Sequence, residues 1–302
     1  MPNFISEDQI EKAITAVFNE RLRYRVINCY TPDPETLPDG SGRTDKMEVV
    51  FLDILKNKAL KFNPDIPEST IDQALAQLTA RRYAMSPILA NKEVYNLIRD
   101  GIPVQYQNAK GKMEHGSVKV INFNRDNNDF LLVRQLWIKG DHYYRRPDII
   151  LYINGLPLVF IELKNSNVPI KAAYDDNLTN YRKDIPQLFQ YNAVCILSNA
   201  IETKVGSMTA GWEYFFNWLR VDDETEKIDR KEIADQGTSL ERMVLGLCTR
   251  ERLLDYIENF ILYYKENSKI IAQNHQFIGV NKAVDAFADR EKRNGKLGVF
   301  WH

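Results

Sequence analysis

Apolar positions near the amino end recur at helical spacing: Ile10, Ala13, Ile14, Val17 and Phe18 form one stripe. Ser6 followed three residues later by Gln9 has the form of a capping box, so a helix is predicted to begin there. Residues 24–30 (YRVINCY) read as extended, and 47–55 run apolar in a way that suits either a strand or a short helix. Helices are predicted from Pro67 to Ala84 and across Lys92–Arg99, after which Gly101 and Pro103 open an extended stretch, IPVQYQN. From Gly116 the period shortens. The runs SVKVINF, DFLLVRQLWI, DIILYIN and LVFIELK read as strands, separated by turn formers at 124–129, Gly140–Asp141 and Asn154-Gly155. A polar helical stretch (Lys171–Lys183), a helix around Gln187–Tyr191 and a buried-type strand, AVCILSN, follow. The remainder reads as helical, most clearly over Glu213–Leu219, Leu240–Leu247 and Arg252–Lys265. The chain has no internal repeat and no low-complexity segment.

Composition narrows the classes. The chain has 302 residues, 44% hydrophobic and 27% charged, enough for one large or two modest globular domains. Forty basic side chains against forty-one acidic ones give a net charge of -1, which by itself argues mildly against nucleic-acid binding. Any such surface is expected to be a local patch or to borrow charge from metal ions. Cys29, Cys195 and Cys248 are odd in number and widely spaced, which excludes a zinc ribbon and disfavours a disulfide framework. The amino terminus lacks the charged and apolar regions of a secretory signal. No stretch approaches the roughly 18 uninterrupted apolar residues of a membrane span. A cytoplasmic protein is expected.

The chemistry-bearing segment is RRPDIILYINGLPLVFIELKNSN, residues 145–167. Two oily strands flank Asn154-Gly155, the strongest short-range hairpin signal. Asp148 stands at the far end of one strand, Glu162 and Lys164 at the far end of the other. Register decides whether they meet. A plain two-residue loop pairs Asp148 with Ile161 and sends Asp148 and Glu162 to opposite faces. An odd-length connection, or a compensating bulge, keeps them on one face. Two carboxylates so placed can hold a divalent cation through hard oxygen ligands, and magnesium accepts few protein ligands while keeping waters. Lys164, two residues after Glu162, shares its face and can orient a water or stabilise developing negative charge. A Glu-x-Lys tripeptide alone is unspecific; its coupling to Asp148 through a hairpin carries the argument. The plain alternative is a hairpin with a solvated charged end. His115, His142, His275 and His302 have no partner at metal-ligand spacing.

Pro147-Asp148, the hairpin and Glu162-x-Lys164 together resemble the active site of the PD-(D/E)XK nucleases. Gln187 and Tyr191, four apart after Pro186, resemble the Q-x-x-x-Y element of the RecB-like branch and of type I restriction R subunits, where such residues contact DNA or support the metal site. The branch also draws an acid from its first helix; Glu7, Glu11 and Glu20 are all candidates. The phrases FNPDIPES (62–69), RDNNDFLLVRQLWIKG (125–140) and NGLPLVFIELKN (154–165) extend the likeness to the R subunit over almost the whole chain. NHQFIGVNKAV (274–284) and GKLGVFWH (295–302) look like the approach to a superfamily 2 helicase motor. There Gln276 would read the adenine of ATP and GVFWH would feed a phosphate-binding loop lying beyond His302.

What the resemblance implies is an α/β fold of PD-(D/E)XK restriction-endonuclease type. Its mixed central sheet would be flanked by helices, with a helical insertion and a carboxyl-terminal helical linker. Residues 1–240 would form the endonuclease domain and 241–302 the linker and the start of the motor. The family implies Mg2+ at Asp148 and Glu162, ATP use only in the full-length parent, and double-stranded DNA as substrate. It also implies modification (M) and specificity (S) subunits as partners. A RecB-like repair nuclease and a non-catalytic docking module of the same fold are the alternatives.

Overall fold

The computed structural model describes residues 4–108, 110–124, 127–223, 225–266 and 268–298. Helix α1 (Glu7–Ala16) begins at the expected capping box, with Ser6 Oγ accepting from the Gln9 amide and the Gln9 side chain accepting from the Ser6 amide. It runs into a π-helical turn, Val17–Arg21. Ile10, Ile14 and Phe18 are buried as the stripe predicts, but Ala13 is exposed and Glu11 is buried. Strand β1 (Arg25–Asn28) follows, then α2 (Leu52–Phe62), α3 (Glu68–Thr79), α4 (Pro87–Asp100) and a hairpin of β2 (Ile102–Gln107) with β3 (Met113–Val118). Next come β4 (Phe130–Arg134), a small ribbon of β5 (Ile138–Lys139) and β6 (Tyr144–Arg145), β7 (Ile149–Ile153) and β8 (Leu156–Leu163). A π-helical segment, Ala173–Leu178, continues into α5 (Thr179–Asp184), followed by α6 (Pro186–Phe189), β9 (Val194–Ser198), β10 (Thr203–Gly206) and β11 (Phe216–Asn217). The chain then adds α7 (Arg230–Gln236), α8 (Ser239–Leu247), α9 (Arg250–Asn259), a hairpin of β12 (Ile261–Tyr264) with β13 (Ser268–Ile271), and α10 (Asn274–Ala288).

Seven strands form one mixed sheet in the order β1-β4-β7-β8-β9-β10-β11. The pairs β1–β4 and β8–β9 are parallel and the others antiparallel. Every residue of β7, β8 and β9 is buried, which is why these strands read as continuous apolar runs rather than as alternating ones. The fold is therefore a mixed α/β sheet flanked by helices, as expected. No helix among the described residues is long and apolar enough to cross a membrane, and all three cysteines are free and buried.

Several local expectations give way to tertiary structure. Glu213–Leu219 is not a helix: a 3-10 turn at Trp212–Tyr214 leads into the edge strand β11. The helix expected over Arg252–Lys265 stops at Asn259, because the β-branched and aromatic run Ile261–Tyr264 pairs with Ser268–Ile271. The carboxyl-terminal region is thus not wholly helical. Strand β4 ends at Arg134 because Gln135 takes a left-handed backbone (φ 54°). Helix α6 ends at Phe189 and leaves Tyr191 in a turn, so Gln187 and Tyr191 do not share a helical face. Of the phrase GVFWH only Gly298 is described, and the strand expected there lies outside the described residues, as do residues 125 and 126 of RDNNDFLLVRQLWIKG.

The β7–β8 hairpin satisfies the register condition by the second route. Its loop is the two-residue Asn154-Gly155, with φ of 52° and 83°. Ile153 pairs with Leu156 and Tyr152 with Pro157, but Leu151 pairs with Val159. Leu158 is therefore the extra residue of a bulge, and beyond it Ile150 faces Phe160 and Ile149 faces Ile161. The turn itself is buried. The Asn154 side chain donates to the Val120 carbonyl (2.9 Å) and accepts from the Asp129 amide (2.7 Å), and a Cβ on Gly155 would sit 2.5 Å from the Phe51 carbonyl oxygen.

Candidate active site

One step beyond the last Ile149–Ile161 pair, the shifted register sets Asp148 opposite Glu162. The two carboxylates lie at the same strand end and on one face. The Leu163 amide donates to Asp148 Oδ2 at 2.8 Å, which fixes the carboxyl across the strand pair. Lys164 Nζ lies 3.8 Å from Glu162 Oε1. Asp148 is only 5% exposed and Glu162 only 2%, so both acids are delivered by the buried strands into a place largely shut off from water. The three sequence-predicted residues are brought together.

Helix α1 closes one side. The Ser166 amide bonds the Ile5 carbonyl (3.0 Å), Ser166 Oγ accepts from the Ile5 amide (2.9 Å), and Asn165 Oδ1 accepts from the Glu7 amide (2.8 Å). These bonds tie the start of α1 to the segment leaving β8. Of the three candidate acids on this helix, Glu20 is exposed, Glu7 lies in the first turn and Glu11 is buried toward the carboxylate pair. Gln135 makes the link: its Nε2 donates to Glu11 Oε2 at 2.7 Å and to Asp148 Oδ1 at 3.2 Å, while its backbone amide donates to the Asp148 carbonyl at 2.9 Å. Its left-handed backbone makes this triple contact possible. Arg134 forms an ion pair with the other oxygen of Glu11.

The π-helical segment closes the other side. Asn177 Nδ2 donates to Glu162 Oε1, and the Tyr181 hydroxyl lies 3.4 Å from the same oxygen. Tyr181 also packs edge-on against Phe160, with ring centroids 5.8 Å apart. A single turn of i→i+5 bonding inside a helix re-aims the side chains that follow it, and such turns are common at functional sites.

Burial dominates the electrostatics. It pushes the Asp148 carboxyl up to about 7; the Leu163 amide pulls the other way, the charges of Glu7 and Glu11 raise it further, and Lys164 lowers it. Glu162 is driven well above the carboxylate range by burial first and by the charge of Asp148 second. Two buried carboxyls that resist ionisation together would be relieved by a cation between them. The hydrogen bonding is lopsided in a way that fits this: Glu162 Oε2 is buried with no hydrogen-bond partner among the described residues, while Oε1 has three neighbours. Among the described residues no group of three or more His, Cys, Asp or Glu side chains forms a complete ligand set. Asp148 and Glu162 would therefore supply two ligands and leave the rest to water, which suits magnesium.

Gln187 and Tyr191 lie elsewhere. Gln187 Nε2 donates to the Lys139 carbonyl at 2.7 Å, and Tyr191 is buried packing whose hydroxyl is pushed up to about 12, chiefly by burial. Neither hydrogen-bonds to Asp148, Glu162 or Lys164. The same four-residue spacing occurs one element earlier, at Asn177 and Tyr181, and that pair contacts Glu162. Its place directly after the Glu-x-Lys strand is the signal in the sequence, obscured by an Asn where the resemblance expects Gln. Gln276 is exposed at the start of α10, where its side chain accepts from the Gln273 amide at 2.8 Å in a capping box.

Comparisons with known proteins place the chain among its relatives. Residues 4–214 match the family described as type I restriction enzyme R protein N terminus. Over 275 residues the chain is 37% identical to the Type I restriction enzyme HindI endonuclease subunit of Haemophilus influenzae, a match covering 86% of this chain and 25% of that protein. It is 34% identical over 275 residues to the putative type I restriction enzyme MjaIXP endonuclease subunit of Methanocaldococcus jannaschii, covering 82% of this chain and 26% of that one. A second M. jannaschii relative, the putative MjaVIIIP endonuclease subunit, is 27% identical over 221 residues. The chain thus spans about a quarter of the length of the first two curated relatives. A family match over residues 4–214 takes in α1, the hairpin and the π-helical segment alike, and the chain belongs to the type I restriction enzyme R protein N-terminal family.

Proposed function

We propose that this chain is the endonuclease module of a type I restriction enzyme R subunit, a PD-(D/E)XK nuclease that hydrolyses DNA phosphodiester bonds with magnesium. The observation that carries the reading is the convergence of Asp148, Glu162 and Lys164 at one strand end, around a buried Glu162 oxygen that lacks a partner. Family membership and the relatives' names as endonuclease subunits support it.

Asp148 and Glu162 would hold the cation, which when bound neutralises phosphate charge and acidifies water. Lys164 orients the attacking water and stabilises the negative charge that builds on the phosphoryl oxygens. Water adds across a P–O bond, and one strand oxygen leaves. Glu11 and Gln135 keep Asp148 in place on one side, and Asn177 and Tyr181 keep Glu162 in place on the other. Residues 1–240 are assigned to the endonuclease domain and 241–302 to a linker and the start of a superfamily 2 motor. In the longer protein, ATP-driven translocation would precede cutting of foreign double-stranded DNA. Gln276 would serve the nucleotide there, and M and S subunits would supply modification and sequence recognition.

The test is nicking of supercoiled DNA with Mg2+ by the assembled enzyme, wild type beside Lys164→Ala. Loss of one transition-state donor is expected to slow cutting about 10²–10³-fold with DNA translocation unchanged. Equal cutting by both would falsify the assignment.

A further inference from the structure

Resting on that reading and extending it, we propose that Arg146 is a phosphate-binding residue for the DNA strand at the carboxylate pair, held ready between Tyr30 and Trp137. Its guanidinium carbon stands 5.0 Å from the centroid of the Tyr30 ring and 4.9 Å from that of Trp137. Among the described residues the Arg146 side chain has no hydrogen bond and no ion pair. Three other arginines in this part of the molecule are paired, Arg145 with Asp184, Arg134 with Glu11 and Arg25 with Asp129. The Nε and Nη2 atoms of Arg182, whose guanidinium lies over the Tyr174 ring, are buried rather than open to a strand. Arg146 is half-buried, and a cation withdrawn from water without an anion is costly. Contact with ring faces offsets part of that cost while leaving the in-plane N–H groups unused. That fork matches two oxygens of a phosphate.

Trp137 is itself held in place. Trp137 Nε1 donates to the Thr31 carbonyl at 3.0 Å, which joins the indole to the segment carrying Tyr30. The Trp137 carbonyl accepts from Arg43, whose guanidinium is 2.8 Å from Asp39 Oδ2; Lys46 Nζ is 2.8 Å from the same oxygen. All three charged groups are buried. Their hydrogen bonds hold Asp39 well below the carboxylate range despite its burial, so the cluster stays charged and anchors the loop.

Position ties the arginine to the candidate site. The Tyr181 hydroxyl lies 3.3 Å from the Arg146 carbonyl and 3.4 Å from Glu162 Oε1, so one hydroxyl spans the two residues. Arg146 is also two residues before Asp148. Four acids, Glu7, Glu11, Asp148 and Glu162, crowd this region, and with a net charge of -1 the molecule offers no general attraction for DNA. A preorganised local cation answers that deficit.

The experiment measures fluorescence anisotropy of a labelled DNA duplex titrated with this chain at several salt concentrations, with Ca2+ replacing Mg2+ to suppress cutting. Arg146→Gln keeps a planar group against the rings and removes the charge; Arg146→Lys keeps the charge and removes the fork. Arg146→Gln is expected to weaken binding about tenfold at low salt and to reduce the slope of log K against log salt by about 0.9. Arg146→Lys is expected to restore the slope and part of the affinity. Wild-type affinity and slope in Arg146→Gln, or no duplex binding by the unaltered chain, overturns the proposal. Calorimetric titration with Ca2+ separates it from the nuclease reading: Arg146→Gln should bind the cation as the wild type does. Failure of Asp148→Asn to weaken Ca2+ binding would instead count against the carboxylate site, whatever Arg146 does.

Discussion

The two oxygens of Glu162 have unlike surroundings: Oε1 meets Asn177, Tyr181 and Lys164, and Oε2 has no hydrogen-bond partner among the described residues. Together with Asp148 it makes the metal-free site a source of pH-dependent instability. An acid whose folded value is raised holds its proton more tightly when folded. Its contribution to stability is complete below the unfolded value and is lost as pH rises through the folded one. For Asp148 that window runs from the ordinary carboxylate value of about 4 up to about 7. The melting temperature of the metal-free chain, relative to Asp148→Asn, is expected to fall by several degrees across this window, and Mg2+ at the upper end should recover the loss. Scanning fluorimetry in matched buffers checks it, and a flat difference would remove the raised acid from the account. Gln135 belongs at this scale as well. Its left-handed backbone and double donation to Glu11 and Asp148 depend on where α1 docks, so nothing in the string LVRQLW marks it. Asp148, Glu162 and Lys164 are legible in the sequence because burying a strand end that carries charge is costly unless the charges meet one another or a ligand.

At the scale of elements, the hairpin and the helix after it differ in how much the sequence discloses. Asn154-Gly155 announces a turn, and face parity announces that a bulge or an odd loop must accompany it; the location of that bulge at Leu158 is not written in any letter. Gly155 is required twice over, by its positive φ of 83° and by the Phe51 carbonyl where a side chain would stand. Gly155→Ala is therefore expected to lower the unfolding free energy by at least about 1–3 kcal/mol, measured by urea denaturation, and to reduce cutting only through stability. The helix after β8 is foreseen from Lys171 to Lys183, but its π-helical phase is not. A 3.6-residue wheel therefore misassigns which polar residues face the sheet, and the Asn177–Tyr181 pair stays hidden. Edge strand β11 and the β12–β13 hairpin read as helix for a related reason. Their partners are not marked by local periodicity, and pairing outweighs it.

Across the whole molecule a single hydrophobic core runs from Ile10 to Phe277 and joins the sheet to the carboxyl-terminal helices. Trp218, fully buried, is the seam: its ring packs against Tyr256 and Phe277, each with centroids 5.7 Å away. Tyr95 adds a hydroxyl bond to the Ile257 carbonyl at 2.9 Å, and Ser207 one to the Lys269 carbonyl at 2.7 Å. Trp218→Ala should cost about 3–5 kcal/mol, seen as a lower urea midpoint. Loss of α9 and α10 amide protection ahead of the sheet would mark the seam as where the molecule parts, and uniform loss would argue against that.

The bulge at Leu158 has a consequence for how such a chain could lose its activity. Face parity beyond it depends on a count of backbone units rather than on any side chain. Inserting one codon just ahead of Val159, with the bulge kept at a single residue, would leave a paired, oily ribbon, yet would set Asp148 opposite Ile161 and turn Glu162 and Lys164 to the opposite surface of the sheet. A descendant so altered would still spell out every residue of the proposed nuclease while being unable to assemble it.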